Sequence, residues 1–230
     1  VGLDPKNVRA REILGTVLSQ KQKDKARTML EGVVADDPDR PAAVRTLGLL
    51  AMDAKDYDSA EKWFKRLQVL RPLDDASYTN LAGIYLLRKD TKGAIAELEE
   101  LCKHEQKDDR IPRRLAELYA QNDDLPDAQS AAFRAVRINP YSAIDHMELG
   151  HVLIAEKKPA AAVEYFQHAA EVQPEQAVCW EGLADAKGLS GDTAGAAEAA
   201  KKALALNSAT PAKRKKSKNI TAWLRPPTKT

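Results

Sequence analysis

Residues 47–64 read LGLLAMDAKDYDSAEKWF, and residues 149–166 read LGHVLIAEKKPAAAVEYF. Both stretches begin with Leu-Gly and carry an alanine and then a phenylalanine at matching later positions. The alanine recurs every 34 residues along the chain, at Ala26, Ala60, Ala94, Ala128, Ala162 and Ala196. A fixed period of this length predicts a stack of identical supersecondary units.

A column of leucines accompanies the alanines. Its members are Leu14, Leu47, Leu81, Leu115, Leu149 and Leu183. A glycine or an alanine follows each of these leucines, and apolar residues recur around both columns at helical spacing, as at Ala60, Phe64 and Leu67. Each repeat is therefore predicted to form two antiparallel helices joined by a short polar turn.

The small residues and the prolines of the repeat have direct physical reasons. A larger side chain where two helices cross would force them apart, and overpacking costs about 1–3 kcal/mol. Proline lacks an amide proton and restricts the residue before it, so it ends a helix. Prolines stand after the second helix of four repeats, at Pro38, Pro72, Pro140 and Pro174. Gln106 and Ser208 occupy the same column in the other two repeats.

This pattern resembles the tetratricopeptide repeat over about residues 8–207. The residues that carry the resemblance are Tyr78, Leu81-Ala82, Tyr85 and Ala94 in the third repeat, and Trp180, Leu183-Ala184 and Ala196 in the sixth. The resemblance implies an all-α fold, a right-handed superhelical solenoid of antiparallel helix pairs. The first repeat departs from it by one missing residue in its turn, and the fourth has Pro112 in the aromatic position.

The two ends of the chain differ from the array. Residues 1–7 are typical of the end of a preceding repeat, which favours a longer parent protein. Residues 208–230 form a basic tail, in which Ile220, Trp223 and Leu224 have the i, i+3, i+4 spacing of one helical face. We expect these three side chains to cap an exposed apolar face of the sixth repeat. Because that repeat is rich in alanine and glycine, we also expect its packing to be looser.

The composition argues against several classes of protein. The chain is 43% apolar and 30% charged, which favours a folded, helix-rich protein. It contains no run of 18 apolar residues, so we expect no membrane span. Motifs for phosphate-binding loops, zinc sites and activated serines are absent, so we expect no enzyme activity, no metal and no cofactor. Cys102 and Cys179 are expected to be free, half-buried thiols rather than a disulfide or part of a metal site.

The charge is distributed unevenly along the chain. The net charge is +2, but residues 1–207 carry −5 and residues 208–230 carry +7. An acidic body disfavours nucleic acid as a partner. The basic stretch 213–216 fits a solvated tail, a contact with an anionic surface or a nuclear import signal. The chain is expected to be a monomer, and its compartment stays open, with the cytoplasm favoured.

The resemblance also implies a concave groove, lined by the first helix of each repeat, that binds a protein or peptide. Members of the family that grip a C-terminal carboxylate do so with basic residues and asparagines from three successive repeats. The matching positions in this chain hold Arg45, Asn80, Arg110 and Arg114, with Arg113 adding positive potential. Leu49 stands where a further asparagine is expected. These residues predict a ligand that is acidic or has a free C-terminal carboxylate, because arginine binds carboxylates well.

Two alternatives remain open at this point. The arginines could instead pair within the chain, and the candidate partners are Asp74, Asp75, Asp108 and Asp109. Toward the sixth repeat the groove positions become Met147, His151, Glu181 and Asp185, so the groove changes sign along its length. The sequence predicts a non-catalytic scaffold that binds a protein or peptide. The alternative function is an accessory segment of a larger multidomain enzyme with its catalytic domain upstream.

Overall fold

A computed structural model describes residues 7–208 of the chain. These residues form twelve α-helices and no strand. The helices are α1 (Val8–Leu18), α2 (Lys23–Asp36), α3 (Pro41–Asp53), α4 (Tyr57–Leu70), α5 (Asp75–Leu87), α6 (Thr91–His104), α7 (Arg110–Gln121), α8 (Leu125–Ile138), α9 (Ala143–Ala155), α10 (Pro159–Val172), α11 (Ala177–Leu189) and α12 (Thr193–Ser208). The predicted all-α fold of consecutive helix pairs is confirmed.

The chain divides into two compact units. The N-terminal unit is Val1–Glu105, and the C-terminal unit is Gln106–Thr230. Each unit contains three consecutive helix pairs, and in every pair the two helices pack against each other. The division falls at the repeat junction where glutamine replaces the helix-ending proline.

The turn inside each pair has the same construction in five repeats. One residue adopts a positive φ at Lys55 (59°), Lys89 (61°), Asp123 (63°), Lys157 (62°) and Gly191 (95°), again at intervals of 34 residues. The next residue donates its N–H to the carbonyl five residues earlier, as Asp56 does to Ala51 at 2.9 Å, which closes a Schellman motif. The residue missing from the first repeat is the one that would take this conformation.

The two columns found in the sequence lie in the core. All six column alanines have no exposed surface, and the column leucines from Leu47 onward are at most 5% exposed. In three repeats the aromatic residue three positions before the leucine also makes a polar contact. Tyr78 Oη and Trp180 Nε1 donate to the carbonyls of Pro72 and Pro174 at 3.0 and 2.8 Å, and His146 Nε2 lies 2.8 Å from the Pro140 oxygen. These contacts tie α5, α9 and α11 to the end of the preceding helix.

Two sequence expectations concern the sixth repeat. Its two helices, α11 and α12, pack closely against each other, which gives no sign of the looser packing expected. Buried alanines on α12, among them Ala196, Ala199 and Ala203, allow this close approach. The described residues of α12 also expose no large apolar side chain. The exposed apolar side chains of this pair are Val178 and Leu189, both on α11.

Two further expectations concern residues that can now be placed. Neither cysteine forms a disulfide, and both are buried rather than half-buried, with 4% of Cys102 and 1% of Cys179 exposed. Burial raises the pKa of the Cys179 thiol and makes it a poor nucleophile. The predicted cap of Ile220, Trp223 and Leu224 lies outside the described residues.

Candidate peptide-binding surfaces

Several first helices of neighbouring pairs pack side by side. In the N-terminal unit α1 contacts α3, and in the C-terminal unit α9 contacts both α7 and α11. The side chains on the open side of these helices are the ones available to a ligand. We call the open side of α3 and α5 the N-terminal face, and that of α7, α9 and α11 the C-terminal face.

Large apolar side chains are exposed on both faces. The N-terminal face exposes 48% of Leu49 and 58% of Leu87. The C-terminal face exposes Ile144 (57%), Val178 (49%) and Leu189 (55%). Such side chains favour contact with another molecule, because their burial there removes apolar surface from water.

The N-terminal face carries two of the residues predicted to bind a ligand. Arg45 on α3 forms an ion pair with Asp74, the residue before α5, and 46% of its side chain stays exposed. The second Asp74 oxygen is buried and has no hydrogen-bond partner in the described residues. Asn80 donates its amide to the Ala76 carbonyl at 2.6 Å. Gly83 is open on this side of α5, since an added Cβ would meet no atom within 4 Å.

The C-terminal face carries the other three predicted residues, all on α7. Arg110 makes a two-pronged contact with Asp108 at 2.6 and 2.8 Å and keeps 76% of its side chain exposed. This contact lowers the pKa of the Asp108 carboxyl. Arg114 pairs with Glu117 one turn away and is 46% exposed. Both guanidinium groups can therefore exchange an internal carboxylate for an external one.

Arg113 has a different environment. Its guanidinium lies 2.6 Å from the Asp145 carboxylate on α9 and 3.8 Å from that of Asp109. Asp145 has no exposed surface, and only 18% of the Arg113 side chain is exposed. Burial raises the pKa of Asp145 to about 6, a hydrogen bond with Asp109 adds to the shift, and Ser142 and Arg113 oppose it. In this structure Arg113 therefore joins α7 to α9.

Sequence reasoning missed the role of Asp145, although a signal was present. The residues one and two periods before it are Ile111 and Ser77, and one period after it is Cys179. All three are buried. An acidic residue in a column of small or apolar residues predicts a buried charge, which needs a partner.

The acidic end of the C-terminal face lies on α9 and α11. The His151 ring packs edge-on against Phe166 with ring centroids 5.0 Å apart. Burial lowers the pKa of His151, and the nearby Asp185 carboxylate opposes that shift. Glu181 accepts a hydrogen bond from Asn207 at 2.9 Å. Burial raises the pKa of Glu148 on α9.

The five predicted residues thus separate into two groups. Arg45 and Asn80 belong to the N-terminal unit, and the three arginines of α7 belong to the C-terminal unit. The internal pairing considered from the sequence is present for Asp74, Asp108 and Asp109, and Asp145 and Glu117 are additional partners. Pairing within the chain and binding of a ligand are compatible where the arginine stays exposed.

Two other features are absent between residues 7 and 208. No three His, Cys, Asp or Glu side chains in this part of the chain are grouped so that they could hold a metal ion. None of the helices formed by these residues is both long enough and apolar enough to cross a bilayer.

Family models described as tetratricopeptide repeat match residues 17–84 and residues 147–211. The chain belongs to the tetratricopeptide repeat family. The matches cover the first and last parts of the repeat array and agree with the helix pairs observed there.

Solved structures with the same fold support this assignment. MamA superposes with a TM-score of 0.66 at 19% identity, over 75% of this chain and 94% of that one. YrrB, described as a TPR protein with an unusual peptide-binding site, has a TM-score of 0.65 at 14% identity, over 79% of this chain and 94% of that one. PilF of Pseudomonas aeruginosa has a TM-score of 0.60 at 17% identity, over 89% of this chain and 92% of that one. At these identities the likeness concerns the fold alone.

One curated relative is an enzyme. The chain is 28% identical over 153 residues to protein O-mannosyl-transferase Tmtc3 of Drosophila melanogaster. The match covers 65% of this chain but only 16% of that protein. The chain therefore spans about one sixth of the length of this relative.

Proposed function

We propose that this chain is a non-catalytic scaffold that binds a protein or peptide on the open faces of its first helices. The observation that carries the proposal is the combination, on one side of the helices, of exposed large apolar side chains with exposed arginines. A surface of this kind offers apolar area for affinity and charged groups for selectivity. The family membership supports a role in protein interactions.

The ligand that we propose for α7 is an acidic segment or a free C-terminal carboxylate. Arg110 and Arg114 are the contacts, since both are exposed and both already bind carboxylates of the chain. Charge-assisted hydrogen bonds contribute about 1.5–3 kcal/mol each when shielded from water and much less when exposed. Affinity is therefore modest and falls as salt is added.

A binding titration tests this proposal. Labelled acidic peptides, with free and with amidated C-termini, are titrated with the full chain and with Arg110→Gln/Arg114→Gln. We expect the double variant to bind about tenfold more weakly or worse, because two charged donors are lost. The matched control is Arg137→Gln/Lys201→Gln, which removes the same charge from exposed positions of α8 and α12. Equal loss of affinity in both double variants would show that net charge alone causes the effect, and this would refute the proposed site.

The N-terminal face is tested separately. Arg45→Gln and Asn80→Ala are compared with the unmodified chain for the same peptides. A loss of affinity in these variants, at unchanged helical content, would place ligand contacts on α3 and α5. Unchanged affinity would assign Arg45 to its ion pair with Asp74 and Asn80 to its bond with Ala76.

A second candidate function rests on the relative from Drosophila. The match to a transferase over 16% of its length is compatible with an accessory array in a larger enzyme. In that case the chain would position a substrate or partner and leave the reaction to another domain. The coding sequence upstream of Val1 decides between the two: a catalytic domain there supports the accessory role, and further repeats alone support the independent scaffold.

A further inference from the structure

The apolar part of the C-terminal face lies beside the end of the array. Ile144 on α9 and Val178 on α11 are one period apart, and both are about half exposed. Leu189 is exposed at the other end of α11. By contrast, the exposed residues of α12 are small or charged, as are Ala194, Glu198 and Lys201. Next to the C-terminal tail, the surface whose burial would remove large apolar side chains from water is therefore formed by α11 and α9.

This surface is also acidic. Residues 106–207 contain 11 lysines and arginines against 16 aspartates and glutamates, so all of the net negative charge of the array lies in the C-terminal unit. On the C-terminal face, Glu181 and Asp185 lie on α11 between the exposed apolar residues. An occupant that combines cations with large apolar side chains complements this surface.

Residues 209–230 have that composition. The segment contains seven lysines and arginines and no acidic residue. Its large apolar residues are grouped, at Ile220, Trp223 and Leu224, and Arg225 follows them directly. The cationic stretch 213–218 precedes the group.

The segment also begins at the right place. Asn207, in the last turn of α12, donates its side-chain amide to Glu181 on α11 at 2.9 Å. The chain therefore leaves α12 beside the acidic side of α11. The 13 residues from Asn207 to Ile220 can span up to about 40 Å. Neighbouring packed helices lie only about 8–10 Å apart, so α9 and α11 are within reach.

We propose that residues 213–225 bind, within the same molecule, to the α9–α11 part of the C-terminal face. Ile220, Trp223 and Leu224 cover Ile144, Val178 and Leu189, while the cations of the segment lie near Glu181 and Asp185. The tether gives the segment an effective concentration in the millimolar range. The segment therefore competes with any external ligand of this surface and makes binding there conditional. This proposal does not depend on the acidic ligand proposed for α7.

Zero-length cross-linking tests where the segment lies. The full chain is treated with a carbodiimide, which joins lysine amines to carboxylates in contact, and cross-linked peptides are identified by mass spectrometry. We expect links from Lys213, Lys215, Lys216 or Lys218 to Glu181 and Asp185. Links distributed equally over exposed acids elsewhere in the unit, such as Glu175 and Glu198, would overturn the proposal. Mixing isotopically light and heavy chains distinguishes a segment of the same molecule from the segment of a second copy. Links between a light and a heavy chain would show that a second copy provides the segment.

A peptide titration tests occupancy. A labelled peptide of residues 209–230 is added to the full chain and to the full-length variant Trp223→Ser/Leu224→Ser. We expect the variant to bind the peptide at least tenfold more tightly, because its own segment no longer occupies the surface. Equal binding to both chains, or no binding to either, would refute occupancy within the molecule.

Matched surface variants locate the contact. In the background of Trp223→Ser/Leu224→Ser, we expect Val178→Ser/Leu189→Ser to reduce peptide binding at least tenfold. The control is Phe133→Ser/Val172→Ser, which removes exposed apolar side chains from α8 and α10 of the same unit. All four residues are at least one-third exposed, so both variants are expected to fold, and circular dichroism checks this. Equal effects of the two pairs would overturn the assignment to α9 and α11.

Discussion

The helix pair α3–α4 of the N-terminal unit and the pair α11–α12 of the C-terminal unit fill equivalent positions with different side chains. The first pair buries Val44, Leu47, Phe64 and Leu67, whereas the second buries mostly alanines. Large side chains hold helices apart and fill the space between them, and small ones let the backbones approach. One repeat pattern thus accommodates two packing solutions.

The alanine-rich solution depends on a ring from the neighbouring pair. Phe166 on α10 has no exposed surface and lies between Gly150 and Gly182, where Cβ atoms would come within 2.6 and 2.3 Å of the ring. In the N-terminal unit, Phe64 meets one glycine in this way, Gly48. The last pair of the array is therefore joined to the pair before it by one aromatic side chain. The first prediction removes that side chain.

Removal of the two phenylalanines is expected to have the largest effect. Phe→Ala in a core costs about 3–5 kcal/mol. We expect the stability loss of Phe166→Ala to lie at the upper end of this range and that of Phe64→Ala to be smaller. The glycines on both sides of Phe166 offer no side chain to fill the cavity. Urea unfolding followed by circular dichroism measures both, with the half-exposed Phe133→Ala as control. A smaller cost at Phe166 than at Phe64 would show that the close-packed pair collapses into the cavity.

The second prediction compares two glycines inside first helices. Gly182→Ala should destabilise the chain by about 1–3 kcal/mol through its clash with Phe166. Gly83→Ala should stabilise it by up to about 1 kcal/mol, because alanine favours helix and its methyl meets open space. Thermal unfolding distinguishes the signs. Phe166→Leu should relieve part of the Gly182→Ala cost, and strictly additive effects would contradict direct contact between the two positions.

These comparisons show what the sequence could predict. The period fixed the helix pairs and the buried columns, since a repeat that stacks on itself must bury the same positions each time. Asp145 was also within reach, because its column is buried at Ile111 and Cys179. The approach of α11 to α12 and the Phe166 contact depend on backbone distances that no single repeat encodes. The Arg113 partner was missed because it lies 32 residues away on another helix.

The third prediction concerns pH, which acts on the two units with opposite sign. In the C-terminal unit, the raised pKa of Asp145, about 6, means that the folded chain binds this proton more tightly than the unfolded chain. Its contribution is fully present below the ordinary aspartate pKa and is lost as pH rises through 6. In the N-terminal unit, hydrogen bonds from Lys65, Arg88 and Tyr85 lower the pKa of Glu61 to about 2. That contribution is present above the ordinary glutamate pKa and is lost as pH falls toward 2.

Two variants separate these contributions. Between pH 5 and 7 the unfolding free energy should fall by about 1–2 kcal/mol less in Asp145→Asn than in the unmodified chain. The reason is that the amide imitates the protonated acid and does not titrate. Glu61→Gln should leave that interval unchanged and remove part of the loss below pH 4. Urea midpoints at a series of pH values measure both. The assignment fails if Asp145→Asn retains the full slope between pH 5 and 7.

The last prediction has the smallest effect and should be the same in both units. Lys89 and Lys157 hold φ of 61° and 62° in the turns of the N-terminal and C-terminal units. A left-handed conformation costs a residue with a side chain roughly 1–2 kcal/mol, which glycine avoids. Glycine also gives the unfolded chain more conformational freedom, and this lowers the stability of the folded chain by about 0.4–1 kcal/mol. We therefore expect Lys89→Gly and Lys157→Gly each to stabilise the chain by about 0.5 kcal/mol, the difference of these terms. Lys62→Gly, at an exposed position inside α4, is the control and should destabilise by about 1 kcal/mol. Since the turn is built in the same way in both units, unequal gains at Lys89 and Lys157 would show that the packing around the turn changes its stability.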